Sequence, residues 1–144
     1  MHVFPTKTAH PFFDFGCAVH KKLIFDSKKV IASKDKTIFI NYIIKGLKIR
    51  RMINKEIKTL STNEIVLAQI ALALVNHPQI LLLDNIDNYL EVKELENVYN
   101  FLRDFREKFG LTVVMTTLDL TQSLYSDYLY IIGEKKILLS GEPI

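Results

Sequence analysis

Two short apolar runs separated by one helical pattern limit the folds open to this 144-residue chain. Residues 79–84 follow Pro78 and are too few for a buried helix, so they predict a strand. Residues 91–108 carry apolar side chains at three- and four-residue spacing, which predicts a helix that Gly110 ends. Residues 111–116 are rich in β-branched side chains and predict a second strand. This order favours an α/β fold with a mostly parallel sheet flanked by helices.

The flanking segments add further elements. A helix is expected to begin after Ser61 and to run to about Val75, and a shorter one is expected near 120–125. Near the end of the chain, 128–132 and 136–140 predict a terminal β-hairpin. In the first part, 21–33 suggest another hairpin, and 37–45 fit either a helix or a buried strand, with their length favouring the helix. We therefore divide the chain into an N-terminal region of hairpin plus helix, 1–57, which could serve in docking, and an α/β core, 58–144.

Composition excludes several classes of protein. Hydrophobic residues make up 49% and charged residues 24%, which is typical of a folded globular chain. A net charge of +3 is too small to indicate nucleic-acid binding. Cys17 is the only cysteine, which excludes an intramolecular disulfide. The histidines lack metal-ligand spacing, so no metal site is expected. We also expect no transmembrane segment and no secretory signal.

Residues 45–58 are basic, with lysines and arginines interspersed among apolar side chains. A solvated basic face is the favoured interpretation, and contact with an acidic partner or with lipid headgroups stays open. Lysine outnumbers arginine, and isoleucine and asparagine are frequent, a bias typical of AT-rich genomes such as those of an organelle, a mollicute or a low-GC bacterium.

Residues 60–64 read Leu-Ser-Thr-Asn-Glu at the start of the predicted second helix. Ser61 and Glu64 have the spacing of a capping box, in which the serine hydroxyl and the glutamate carboxylate each accept a backbone N–H. Free N–H groups and the helix dipole at such an end can also attract an anion. The structural cap is the favoured interpretation of this motif, and a phosphate contact is the alternative.

Two further motifs end the predicted strands. Residues 80–85 read Ile-Leu-Leu-Leu-Asp-Asn, so Asp84 closes an apolar strand, where a carboxylate can help to hold Mg²⁺ or can hydrogen-bond nearby backbone. Hydrogen bonding to backbone is the favoured role. Residues 111–119 end in Thr-Thr-Leu-Asp, with Leu118 two residues past the strand.

Taken in order, these motifs resemble the signature loop, the Walker B strand and the histidine-bearing strand of ATP-binding cassette (ABC) ATPases, over about residues 58–144. In that family the signature reads Leu-Ser-Gly-Gly-Gln, and here Thr62 and Asn63 replace both glycines. Asn85 stands where the family has the glutamate that polarises the attacking water. Leu118 stands where the family has a histidine that contacts the γ-phosphate. A phosphate-binding loop, Gly-x-x-x-x-Gly-Lys-Ser/Thr, occurs nowhere in the 144 residues.

The resemblance and its departures imply a degenerate, shortened ABC-type domain that is not expected to be an enzyme. Its role would be structural: assembly of a membrane transporter or of a larger membrane-associated complex, such as one in an organelle. The implied partner is a membrane subunit or a second ABC subunit, at a membrane surface in the cytoplasm or the mitochondrial matrix. In the alternative, Ser61 and Asp84 contribute to a composite Mg-ATP site shared with a partner chain. An unrelated small α/β binding protein is the third hypothesis.

Overall fold

A computed structural model of the protein describes residues 34–143. The hairpin predicted at 21–33 lies outside these residues. The chain divides into two compact units at Pro78 and Gln79, and each is described by itself. The functional division of the chain into 1–57 and 58–144 stays a prediction.

The described part of the first unit, from residue 34 onward, contains two helices joined by 3₁₀ turns. Helix α1 spans Lys34–Gly46, which confirms the helical interpretation of this segment. The turns Arg50–Met52 and Ile57–Thr59 lead into helix α2, Thr62–Val75, which contacts α1. Helix α2 is apolar on most sides, as expected of a buried helix. Within residues 34–78, the buried apolar side chains are Ile43, Leu47, Ile49, Met52, Val66, Leu67, Ala68, Ile70, Ala71 and Leu74.

The joining segment confirms part of the expectation for the basic residues. Its apolar members Leu47, Ile49 and Met52 are buried, whereas Lys48, Arg50 and Arg51 between them are exposed. This alternation explains why no regular apolar stripe is visible in the sequence: irregular 3₁₀ backbone, and not a helix or strand, turns the apolar side chains inward.

The second unit begins with the predicted strand–helix–strand order. Strand β1 spans Ile80–Asp84, helix α3 spans Val92–Phe109, and strand β2 spans Thr112–Thr116. The strands are parallel, with Ile80 opposite Thr112 and Asp84 opposite Thr116. Helix α3 contacts β2 and buries one face, formed by Leu95, Val98, Tyr99, Phe101, Leu102 and Phe105. The α/β fold class is therefore confirmed.

The rest of the unit follows β2. A 3₁₀ turn, Leu120–Tyr125, leads to strand β3, Leu129–Gly133, and strand β4, Lys136–Gly141. The two strands pair antiparallel with a bulge, as the predicted hairpin requires. The hairpin forms a sheet of its own, whereas the sequence suggested an antiparallel edge on the parallel sheet. Among residues 34–143, no helix combines the length and the apolar character needed to cross a membrane.

Candidate functional site

The first candidate site is the N-terminal end of α2, where Ser61 is the N-cap. Its hydroxyl oxygen accepts a hydrogen bond from the backbone N–H of Glu64 at 3.4 Å. The carboxylate of Glu64 accepts the backbone N–H of Ser61 at 3.0 Å. These reciprocal bonds complete the predicted capping box. The hydroxyl of Ser61 also donates to the side-chain oxygen of Asn63.

A lysine forms an ion pair with the capping glutamate at this helix end. The second carboxylate oxygen of Glu64 lies 2.6 Å from the Lys55 ammonium. The hydrogen bond from Lys55, followed by that from the Ser61 backbone, lowers the pKa of Glu64 below its ordinary value of 4.5. Because both oxygens of the carboxylate and the hydroxyl of Ser61 are engaged locally, the groups at this helix end bind one another, as the structural interpretation of the motif expects.

The second candidate site is the carboxyl end of β1 and β2, where Asp84 and Thr116 lie in register. The Thr116 hydroxyl donates to Oδ1 of Asp84 at 2.5 Å. The side-chain amide of Asn85 donates to the same oxygen at 3.0 Å. The expectation that Asp84 bonds backbone is wrong in this detail, since both donors are side chains. The bond from Thr116 ties the ends of the two strands together, whereas the bond from Asn85 is local to the end of β1.

Asn85 holds an unusual backbone conformation at this junction. Its φ of 46° and ψ of 45° place it in the left-handed region, which asparagine tolerates better than most residues. Its N–H donates to the carbonyl oxygen and to the hydroxyl of Thr116, each at 3.1 Å. An asparagine here therefore supports the turn that leaves β1, in addition to bonding Asp84.

A second pair links the same loops. The Thr117 hydroxyl donates to Oδ2 of Asp87 at 2.7 Å, and the backbone N–H of Asp119 donates to the Thr117 hydroxyl at 2.9 Å. The other oxygen of Asp87 is buried and has no hydrogen-bond partner among the residues that the structure describes. Burial, followed by the charge of Asp87, raises the pKa of Tyr99 to about 12. This corner of the site is therefore electronegative and partly shielded from water.

The segment after β2 places an apolar side chain in solvent. Leu118, at the position of the family's histidine, is 92% exposed. Leucine has neither a hydrogen-bond donor nor a charge to offer a phosphate. Asp119, which follows, caps the 3₁₀ turn: its carboxylate accepts from Gln122 and from the N–H and hydroxyl of Thr121. These bonds, with that from Gln122 largest, lower the pKa of Asp119.

The cation-binding capacity of these loops is small. Within residues 34–143, no group of three or more His, Cys, Asp or Glu side chains could hold a metal ion. Oδ1 of Asp84 already receives two donors, which leaves Oδ2 for any ion. A magnesium ion at Asp84 would therefore take most of its oxygen ligands from waters and phosphates, as is usual for this cation.

Sequence reasoning identified Ser61, Glu64 and Asp84 but missed their supporting partners. Thr116 lies 32 positions from Asp84, and Lys55 lies nine positions from Glu64. The parallel pairing of the two predicted strands could have suggested Thr116, because residues at equivalent strand ends meet at one edge. No sequence signal identifies Lys55, since it follows irregular backbone.

No protein-family model matches the chain. Solved structures, in contrast, include clear matches. One is cbiO1 from Clostridium perfringens, part of the ABC transporter complex cbiONQ, with a TM-score of 0.69 and 22% identity over 86% of this chain and 50% of that one. Another is the dimeric bacterial ABC transporter cassette MJ0796, with a TM-score of 0.65 and 24% identity over 86% of this chain and 54% of that one.

A third match is MJ1267, an ATP-binding cassette of an ABC transporter in its ADP conformation. Its TM-score is 0.62 and its identity 17%, over 77% of this chain and 44% of that one. The chain thus spans about half the length of these cassettes. It has the fold of part of an ABC nucleotide-binding domain, and the resemblance read from the motifs is confirmed at the level of fold.

Proposed function

We propose that the chain is a non-catalytic ABC-ATPase-like subunit with a structural role in assembling a membrane transporter or a larger membrane-associated complex. Such a subunit would act at a membrane surface, either in the cytoplasm or in the mitochondrial matrix. Its partner would be a membrane subunit or a second ABC subunit. Among the similar structures, cbiO1 is part of a transporter complex and MJ0796 forms a dimer.

The observation that carries this proposal is the hydrogen bond between the Asn85 amide and Asp84. A general base must accept a proton from the attacking water, and an amide cannot do so at neutral pH. The Asn85 amide instead acts as a donor toward the neighbouring carboxylate. Loss of a general base slows proton transfer by about 10²–10⁴-fold, which leaves little turnover.

The other two motifs support the same conclusion. At the start of α2, the side chains of Asn63 and Glu64 engage Ser61 where the family has glycine and glutamine. The carboxylate of Glu64 also adds a negative charge where a γ-phosphate would approach, and like charges repel. The exposed Leu118 offers nothing in place of histidine.

Purification of the tagged chain from its own cells tests the assembly role. We expect the chain to sediment with membranes and to co-purify with other subunits in fixed proportion. We also expect the isolated chain to release no phosphate from ATP above a buffer blank. A chain recovered as a free monomer from the soluble fraction would contradict the assembly role, and turnover abolished by Asp84→Ala would contradict the non-catalytic one.

A composite Mg-ATP site shared with a partner chain is the second candidate function. It is favoured by the one oxygen of Asp84, Oδ2, that takes no part in the bonds to Thr116 and Asn85. A partner that contributed a phosphate-binding loop could place Mg²⁺ beside this oxygen. In that case, Mg-ATP binding by the purified complex would be lost on Asp84→Ala and weakened on Ser61→Ala. Unchanged binding in both variants would exclude it.

A further inference from the structure

An apolar groove of about 420 Å³ lies on the second unit, between the first turns of α3 and the 3₁₀ turn Leu120–Tyr125. Its apolar walls include Val92, Leu95, Leu124 and Tyr125. Val92 and Leu124 are 69% and 67% exposed, although both are aliphatic. Clustered exposed apolar side chains are typical of surfaces that bind another molecule.

Two side chains that line this groove carry an acceptor that has no donor within residues 34–143. The carboxylate of Glu96 forms no hydrogen bond or ion pair within residues 34–143. Oε1 of Gln122 is buried and has no partner there, while its amide nitrogen donates to Asp119 and Thr121. A buried acceptor without a donor costs about 1–3 kcal/mol, and the exposed Glu96 is the acceptor that a ligand can reach directly.

The surroundings of the groove are acidic. The start of α3 carries Glu91, Glu94 and Glu96 against Lys93, and Asp119 caps the neighbouring turn. A cationic group is therefore attracted to this part of the surface, and apolar atoms next to that group fit the walls.

We propose that this groove binds an amphipathic helix of a partner protein and that a lysine or arginine of that helix pairs with Glu96 beside Gln122. A helix would set apolar side chains at three- and four-residue spacing against Val92 and Leu124, with its basic residue on the flank of the same face. This inference rests on the proposed assembly role and names the chemistry of one partner segment.

Fluorescence anisotropy on the full chain tests the groove directly. The probe is a fluorescein-labelled amphipathic peptide of leucine and lysine. Two comparison peptides accompany it: one of the same composition without an apolar face, and one with glutamate in place of lysine. We expect saturable binding of the first peptide only, weakened by added salt because the charge pair is exposed.

Substitutions in the groove test whether the peptide binds there. Glu96→Gln should weaken the binding of the amphipathic peptide about two- to fivefold, since an exposed ion pair contributes about 0.2–1 kcal/mol. Its matched control is Glu107→Gln, at an exposed site farther along α3, which should leave binding unchanged. Leu124→Asp should abolish binding, whereas Ile38→Asp, at an equally exposed aliphatic residue of α1, should retain it.

Equal binding of all three peptides, or wild-type affinity in Glu96→Gln, would overturn the groove proposal. Circular dichroism shows whether each variant is folded. If Leu124→Asp does not fold, Glu96→Gln still tests the groove. This outcome is distinguishable from failure of the assembly role, because co-purification with membrane subunits is measured on the wild-type chain. Subunits that co-purify with the chain while the peptide does not bind would place the assembly surface elsewhere.

Discussion

At the scale of single residues, Asn85 combines a left-handed backbone with a side-chain bond to Asp84. Asn85→Glu restores the family's carboxylate but places it beside another carboxylate and puts glutamate in the left-handed region. We expect a loss of about 1–2 kcal/mol in the free energy of unfolding, measured with urea, and no ATP turnover. Asn85→Gly is the control, since it removes the amide and keeps the backbone unstrained. A stable, hydrolysing Asn85→Glu chain would refute this explanation of the site.

Thr116 is the partner that sequence reasoning missed, and its hydroxyl joins the ends of the two parallel strands. Thr116→Val keeps the shape and removes the bonds to Asp84 and to the N–H of Asn85. We expect a loss of about 1 kcal/mol in unfolding free energy, at the modest end because the site is exposed. Thr112→Val, at the other end of β2, should change stability by less than about 0.5 kcal/mol. Equal effects of the two substitutions would show that this bond does not stabilise the sheet.

At the scale of elements, the capping box of α2 gives a pH-dependent contribution to stability. Ser61→Ala should cost about 1 kcal/mol in unfolding free energy, whereas Thr62→Ala, at the first helical position, should cost little. The folded pKa of Glu64 is lowered from 4.5, so its contribution is present above pH 4.5 and decreases as pH falls below that value. Glu64→Gln should therefore narrow the difference in unfolding free energy between neutral and acid pH. If Glu64→Gln left the pH dependence of the unfolding free energy unchanged, the hydrogen bonds assigned to Glu64 would be contradicted.

Helix α3 ends at Gly110, whose φ of 72° lies in the left-handed region. A Cβ at Gly110 would meet no atom of residues 34–143 within 4 Å, so Gly110→Ala measures backbone strain. We expect a loss of about 1 kcal/mol in unfolding free energy. Gly141→Ala is the matched control, because its added Cβ also meets none of the described atoms within 4 Å and the φ of Gly141 is not in the left-handed region. A loss of the same size at both glycines would contradict the strain argument.

The elements that could be predicted from sequence are those whose signals are local. The Ser61–Glu64 cap, the Gly110 stop and the apolar run of β1 each depend on residues a few positions apart, so periodicity and capping chemistry identify them. The bond from Thr116 to Asp84 could not be read in the same way, because it depends on strand register across a helical crossover. The pairing of Lys55 with Glu64 depends on irregular backbone, which has no period.

At the scale of the whole molecule, the parallel sheet differs from the expected one in its coverage. One face of β1 is buried through Leu81 and Leu83, each 5% exposed. On the other face, Ile80, Leu82 and Val114 are 60%, 72% and 50% exposed. Parallel sheets are normally covered on both faces. Sequence alone cannot distinguish a strand that is covered on both faces from one that is exposed on one face, because both are continuous apolar runs.

Leu82→Lys distinguishes an open face from a covered one. If the side chain is in solvent, a lysine there should change the unfolding free energy by less than about 0.5 kcal/mol, because surface substitutions have small effects. The added charge should also reduce self-association of the isolated chain, measured by light scattering, since the apolar patch is interrupted. Ile38→Lys, at another exposed aliphatic residue, should leave self-association unchanged.

A loss of several kcal/mol in unfolding free energy on Leu82→Lys would mean that the folded chain covers this face itself, because burying an unpaired charge is that costly. The assembly role would then have to depend on another surface.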